Sequence, residues 1–358
     1  MLLWLFLNKQ PEFTTFMRYI RQQIFREIGK KGQAKLRKST IAIVGLGALG
    51  SVSSQLLARA GIGKLVLIDR DIVELSNLQR QSLFDEKDFG KPKAFAAKEH
   101  LSIINSDVKI NFFIDDLNYE NIETYFNKKN KIDLILDCTD NLETRFLIND
   151  FCIKNNVPFI YSSAVGSKGY VFNVLTGKNT PCLRCFLKEA VQLDTCETVG
   201  VLNAITNLIS SIQANEAIKM LLGKKLNASE LVRTRSQLPE KDLLFFDVWK
   251  NELSKIKVNK DKNCVCCAKN NFEYLNGKKA SRIIKLCGES IYQIKTNAID
   301  KNQFNNLKNK LKKIGKVIDF DYCINFENKI TIFQDGRALI KAKDEKEAKS
   351  LYSRFVGN

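Results

Sequence analysis

The chain has 358 residues and a single histidine, and that scarcity excludes a good deal of chemistry. One imidazole, His100 in AFAAKEHLSII, cannot build a histidine-dependent triad or a mixed Cys/His zinc site, so it is read as a structural residue on a helix. Long apolar runs are missing as well. Met1–Leu7 (MLLWLFL) is apolar over seven residues only, against the ~20 of a membrane span. It carries neither the basic leader nor the cleavage site of a secretory signal. Residues 1–16 are therefore set apart as an N-terminal extension, with Met17 as the expected start or the extension as a short packing arm. There is no internal repeat, no low-complexity tract and no basic run interleaved with aromatics. Acidic residues are in deficit: 39 Asp and Glu face 57 Lys and Arg, for a net charge of +18.

An apolar content of 44% with scattered charge describes a folded chain, long enough for one large core and a small second domain. The basic excess is uneven. Residues 251–358 carry 23 Lys and Arg against 12 Asp and Glu, a local +11. Such a face attracts RNA, a membrane surface or an acidic protein, although a solvated Lys- and Asn-rich surface is the plainer reading. The chain is expected to be cytoplasmic with no membrane partner, and there its ten cysteines point to metal or catalytic thiols before disulfides.

Up to about residue 250, short apolar runs alternate with helical patterns, which predicts an α/β fold: a Rossmann-like doubly wound sheet. Strands are expected at 40–45, 64–69, 108–114, 132–137 and 157–162. A hairpin-like pair near 169–175 and a strand at 243–248 would make the sheet mixed. Helices are expected through Ala94–Ile104 and Val201–Leu222. The nucleotide-binding unit is assigned to residues 17–270, and a small basic α+β domain to 275–358. In the latter, Phe304, Leu307, Leu311 and Ile314 share one helix face, Ile318 to Phe326 alternate as one half-buried strand, and Asp344–Phe355 form a last helix.

The first apolar run, IAIV, leads into Gly45-x-Gly47-x-x-Gly50 and then a helical stretch. This is a dinucleotide fingerprint: a tight turn, close backbone approach to phosphate, and a helix N-terminus aimed at negative charge. Asp69, 24 residues after Gly45, suits the ribose hydroxyls of an NAD or an ATP site alike. The residues beyond it discriminate between the two. Asp69-Arg70-Asp71, Asn77-Leu78-Gln79-Arg80-Gln81 and Gly90-Lys91-Pro92-Lys93 crowd charged and amide groups past the cradle. A nicotinamide ring needs an apolar pocket, whereas nucleotidyl transfer needs cations around a triphosphate and a carboxylate for magnesium. Asp140, in Cys138-Thr139-Asp140-Asn141, lies just past the fourth strand at the same edge. Two CxxC pairs, Cys182/Cys185 and Cys264/Cys267, suit a closed tetrathiolate zinc site although 78 residues intervene. Cys266 is an alternative to either member of the second pair. Cys138, Cys152, Cys287 and Cys323 read as small core residues.

In this order, GxGxxG, DRDxVExSNLxRQ, GKPK, CTDN and the CxxC pair resemble the MoeB/ThiF/HesA family, the prokaryotic relatives of ubiquitin-activating enzymes, over about residues 17 to 270. The resemblance implies adenylation of the C-terminal glycine of a small ubiquitin-like carrier protein ending in Gly-Gly, with ATP and magnesium. It implies a nucleotide loop at Gly45, Gly47 and Gly50, a ribose ligand at Asp69, and phosphate-holding groups at Asn77, Arg80 and Lys93 with Gln81 beside them. Asp71 belongs to the same set, and Asp140 matches the magnesium-linked aspartate. RYIRQ resembles an N-terminal motif whose arginine, here Arg21, reaches the triphosphate of the partner subunit, which implies a homodimer. The family's zinc is structural. Cys196 matches a thiol on a mobile crossover loop that in some relatives bonds covalently to the carrier or handles sulfur from a donor protein, and in others is dispensable. The chain departs from the family's short form after about residue 275 and is too short there for a rhodanese domain. Its basic charge suits an acidic carrier or tRNA, and Asp335-Gly336-Arg337-Ala338-Leu339-Ile340 has no assigned role. Adenylation of a peptide or a tRNA-linked carboxylate, and NAD-dependent redox chemistry, are the competing expectations.

Overall fold

The computed structural model describes residues 17–126, 131–177, 179–187, 199–223, 239–279, 283–286, 291–294, 299–320, 322–334 and 336–357. Cys196, Cys287 and Asp335 lie outside them. Among the described residues two short helices, α1 (Ile20–Ile24) and α2 (Gly29–Leu36), precede the first sheet. Its parallel part is β1 (Thr40–Val44), β2 (Lys64–Ile68), β3 (Lys109–Phe113), β4 (Leu134–Asp137) and β5 (Phe159–Val165), within two or three residues of the expected limits. Helices α3 (Gly50–Ala60), α4 (Lys93–Ile104) and α5 (Leu142–Asn155) cross from β1 to β2, β2 to β3 and β4 to β5. The β3-to-β4 connection carries a short helical turn at Ile122–Tyr125. Then come β6 (Lys168–Val174), α6 (Asn203–Gly223), β7 (Leu243–Asp247) and an unexpected edge strand, β8 (Glu252–Ile256).

The spatial order is β3-β2-β1-β4-β5-β6-β7-β8. β3 to β5 are parallel, whereas β6, β7 and β8 pair antiparallel. The order of strand addition reverses between the parallel neighbours β1 and β4, and that switch point opens a crevice beyond the strands' C-terminal ends. The near-continuous burial of TIAIV and LILD is what strands covered on both faces require.

A second, antiparallel sheet has the order β11-β12-β13-β14-β10-β9. Its members are β9 (Ile283–Leu286), β10 (Ile291–Ile294), β11 (Val317–Asp319), β12 (Cys323–Phe326), β13 (Ile330–Phe333) and β14 (Ala338–Lys341). The segment expected as one strand over 318–326 is a hairpin: β11 and β12 pair antiparallel, and Phe320 N donates to the Cys323 carbonyl at 2.9 Å. The alternation seen in the sequence runs straight through the turn, so periodicity alone could not reveal the reversal. Helix α7 (Lys301–Lys312), capped by Asp300, ends before Ile314, which is 57% exposed and off the expected face. Helix α8 (Glu345–Phe355) is capped by Asp344.

One face of this sheet (Ile294, Ile324, Ile332, Ile340) packs on Phe304 and Leu311 of α7 and on Ala348 and Tyr352 of α8. The other face (Ile291, Cys323, Phe333, Leu339) packs on Ile72 and Ile114 of the first unit. The small sheet is therefore covered on both sides.

Candidate active site

The glycine loop leaves β1 directly at the switch point. A Cβ on Gly45 (φ +86°) would lie 2.6 Å from the Cys138 carbonyl oxygen of the neighbouring β4 segment, and one on Gly50 would lie 1.9 Å from the Gly45 carbonyl oxygen. Both glycines are forced by backbone-to-backbone approach. Gly47 is different: its added Cβ would meet only Gln81 Nε2, at 3.7 Å, so that glycine keeps space open for a ligand. Gln81 is buried, and its Oε1 has no hydrogen-bond partner. A buried, unpartnered amide oxygen beside a glycine cradle fits a polar ligand arriving there.

Asp69 lies just after β2 and ties the two loops together: its carboxylate accepts from Leu46 N at 2.5 Å and from Asp71 N at 2.7 Å. Burial pushes its pKa up to about 6 against the opposing charge of Lys93. Lys93, the first residue of α4, is buried and places Nζ 3.3 Å from Asp71 Oδ2. Burial alone would lower the lysine's pKa, but Asp71, Asp69 and Asp140 outweigh it and raise it. Asp71 is lowered, because Lys93 and Arg70 overcome the burial of a carboxylate still about one-third open, at 32%. Asp140, exposed just past β4, acts electrostatically on both Lys93 and Arg70. Arg145, given no role from the sequence, is buried on the next helical turn and donates to the Thr139 carbonyl at 2.5 Å, which anchors the backbone before Asp140.

Asp69, Asp71, Lys93, Asp140, Gln81 and the three glycines thus share one crevice. The remaining expected residues stand differently. Asn77 is buried in a 3₁₀ turn, where its Oδ1 accepts from Glu74 N at 3.3 Å. The Arg80 guanidinium donates to the Ser76 carbonyl at 2.9 Å and is folded back on its own turn. Arg21 is exposed on α1, and its neighbours tie that helix to the far ends of α3 and α4: Gln22 Nε2 donates to the Ala60 carbonyl at 2.8 Å and Arg18 to the Ile104 carbonyl at 3.0 Å. An 11-residue helix is about 16 Å long, so Arg21 stands at the opposite edge of the sheet from the glycine loop of its own chain. His100 bonds Asp88 at 2.6 Å on α4, away from this cluster.

The four expected cysteines converge at the other end of the sheet. Cys182 and Cys264 sulfurs are 3.6 Å apart, Cys185 and Cys267 are 3.5 Å apart, and all four lie within 4.8 Å of one another. A tetrahedron of thiolates about 2.3 Å from a zinc ion has edges of about 3.8 Å, so the spacing and the donor set fit that metal. Cys266 is not a ligand candidate: it is buried and accepts from Asn149 Nδ2 at 3.2 Å. Cys138 is a buried thiol whose pKa is pushed up by burial, so it is inert in the sense expected of a core residue. Among the described residues no helix is long and apolar enough to cross a membrane.

Comparison with known proteins agrees with this geometry. The ThiF family model matches residues 19–267. The sulfur carrier protein ThiS adenylyltransferase of Bacillus subtilis (strain 168) is 37% identical over 351 residues, spanning 95% of this chain and 99% of that protein. The molybdopterin-synthase adenylyltransferase of Escherichia coli (strain K12) is 35% identical over 258 residues, 70% of this chain and 96% of that protein. Among solved structures, E. coli MccB with MccA-N7isoASN superposes with a TM-score of 0.58, covering 70% of this chain and 74% of that one at 22% identity, a likeness of fold.

Proposed function

The chain belongs to the ThiF family and is an adenylyl-transferring enzyme, and from that premise we propose that its acceptor is the C-terminal glycine carboxylate of a ubiquitin-like sulfur carrier ending in Gly-Gly. Within that class a ThiS-like carrier is favoured, because the match to the ThiS adenylyltransferase runs through the C-terminal unit, over 95% of the chain, whereas the molybdopterin-synthase relative matches 70%. The observation that carries the reading is Lys93, buried beside Asp69 and Asp71 and within electrostatic reach of Asp140, in front of an open glycine loop.

In this reading the phosphates of ATP lie along Gly45–Gly50, with Asp69 on the ribose and Asn77, Gln81, Arg80 and Lys93 around the triphosphate. Arg80 must unfold from the Ser76 carbonyl to take part. Asp140, an exposed hard oxygen donor, would hold magnesium, and Asp71 keeps Lys93 charged and in place. When bound, that ion supplies positive charge to the triphosphate.

A terminal carboxylate has an unperturbed pKa of roughly 3.5 and is already ionised near neutrality, so no general base is required. This agrees with a site that contains no histidine. One carboxylate oxygen attacks the α-phosphorus, the bond to the bridging oxygen of the β-phosphate breaks, and pyrophosphate leaves with the electron pair. The products are an acyl-adenylate and pyrophosphate. The obstacle is charge: two like charges 4 Å apart cost about 4 kcal/mol at an effective dielectric of 20. Lys93, Arg80 and the loop amides offset it. A separate sulfur donor protein would then supply sulfide-level sulfur to the acyl carbon, which forms the C–S bond as the bond to AMP breaks and leaves a thiocarboxylate.

The far-edge position of Arg21 supports a homodimer in which each chain lends that arginine to its partner's site. The four cysteines would hold a structural zinc that ties 182–185 to 264–267, chemistry that needs reduced thiols and so suits the cytoplasm. ATP–pyrophosphate exchange tests the reading, run with and without small β-grasp proteins ending in Gly-Gly. Carrier-dependent exchange that Asp140→Ala abolishes is the expected result. ATP binding without exchange for any carrier would move the acceptor to a peptide or tRNA-linked carboxylate, and no ATP binding would overturn the reading.

A further inference from the structure

Arg337 is the largest fully buried side chain among the described residues, and it belongs to neither the nucleotide loop nor the cysteine cluster. It lies in the tight turn between β13 and β14, where Phe333 N donates to its carbonyl at 2.9 Å. Its guanidinium lies 3.7 Å from the centroid of the Phe333 ring and points out of the small sheet into the first unit. There Nη1 donates to the Arg70 carbonyl at 2.7 Å and Nη2 to the Ile114 carbonyl at 3.2 Å. Those two carbonyls sit just beyond the C-terminal ends of β2 and β3, at the ligand edge of the sheet.

The contact closes a ring. Arg337 donates to Gln293 Oε1 at 3.4 Å, Gln293 Nε2 donates to Asp116 Oδ2 at 3.3 Å, and Arg70 Nη1 donates to Asp116 Oδ1 at 2.8 Å. Arg70 is thereby held twice, by its side chain and by its backbone carbonyl. It is the middle residue of Asp69-Arg70-Asp71, whose first carboxylate reaches Leu46 N and whose last carbonyl accepts from Lys93 N at 2.9 Å. A second contact touches the other loop of the site. A Cβ on Gly90 would lie 2.3 Å from Phe320 Cζ, and Tyr322 packs on Phe95 of α4 with ring centroids 4.8 Å apart. The small unit therefore grips both segments that carry Asp69, Asp71 and Lys93.

We infer that Arg337 is a positioning residue for the nucleotide site, setting the backbone of residues 69–71 so that Asp69 and Asp71 face the glycine loop and Lys93. This rests on the reading of that crevice as the ATP site. A guanidinium has the fork geometry to satisfy two carbonyls and an amide oxygen at once; a lysine ammonium keeps the charge without the fork. The role separates from mere adhesion because it acts on ATP and not on the carrier.

The test uses the full chain and measures KM for ATP, KM for the carrier, kcat for exchange, and thermal melting. Arg337→Lys and Arg337→Gln are expected to raise KM for ATP about tenfold, with the carrier KM unchanged. Asp116→Asn breaks the same ring from the first unit and should do likewise, so it decides the matter should the Arg337 variants fail to fold. The control is Phe326→Leu, in the helix-covered core of the small sheet, which lowers melting without touching the ring. The inference is overturned if the ring variants lower melting but leave KM for ATP unchanged, or if Phe326→Leu raises that KM equally. Failure of the unmodified chain to bind ATP would instead sink the underlying nucleotide reading.

Discussion

Lys93 is buried at the price of desolvating an ammonium, and the carboxylates of Asp69, Asp71 and Asp140 are what keep it charged. If the proposed function holds, Lys93→Met removes the cation that would face the developing pyrophosphate, and exchange should fall by about two to three orders of magnitude, measured at saturating carrier. Asp69 permits a pH test. Its folded pKa, about 6, is raised above the ordinary 3.8, so the folded state holds the proton more tightly than the unfolded chain does. The resulting stabilisation is fully present below pH 3.8 and is lost as pH rises through about 6. Asp69→Asn cannot ionise. Its stability relative to the unmodified chain should therefore shift in the variant's favour between pH 4 and pH 7.5, by on the order of 2–3 kcal/mol in denaturant melts. A difference constant across pH would show that the carboxylate is not perturbed by its burial.

The glycine loop and the cysteine cluster each contain a built-in contrast. Gly50→Ala drives a Cβ to 1.9 Å from the Gly45 carbonyl oxygen, so the loop must open; about 3 kcal/mol of stability should be lost, together with ATP binding. Gly47→Ala meets only the end of Gln81 and should melt within about 1 kcal/mol of the unmodified chain while still weakening ATP. Calorimetric titration with ATP separates the two glycines. In the cluster, Cys264→Ser should abolish tight binding of one zinc per chain, read by elemental analysis, whereas Cys266→Ser should retain it. Structural zinc is worth about 10–16 kcal/mol in finger peptides, so loss of the metal should expose the region around Cys182–Cys185 to proteolysis.

At the scale of the whole molecule, the position of Arg21 makes the number of chains in a working site a measurable quantity. Arg21→Ala and Asp140→Ala chains, each inactive alone, should regain activity when mixed under conditions that exchange subunits. Half the dimers are then mixed and each mixed dimer has one intact site, so the recovery approaches about a quarter of the unmodified rate. No recovery would mean that Arg21 serves its own chain or no site at all. The second sheet also belongs to this scale. It joins the nucleotide-binding unit through Ile72 and Ile114, and it brings Arg337 to the carbonyl of Arg70, 267 residues earlier in the chain.

Much of this was legible in the sequence because it is local. The apolar runs at 40–44 and 64–68, the glycine spacing and the paired CxxC spacing each act over a few residues. They announced the strands, the phosphate cradle and the four thiols. The hairpin within 318–326 stayed hidden because the two-residue period continues through its turn, and β8 because its burial is slight. Tertiary structure decided the rest: that Cys266 faces Asn149, that burial pushes the Asp69 pKa up to about 6, and that Arg337 reaches the Arg70 carbonyl. Desolvation and the field at a carboxylate depend on groups converging from distant parts of the chain, and only the packed fold sets those distances.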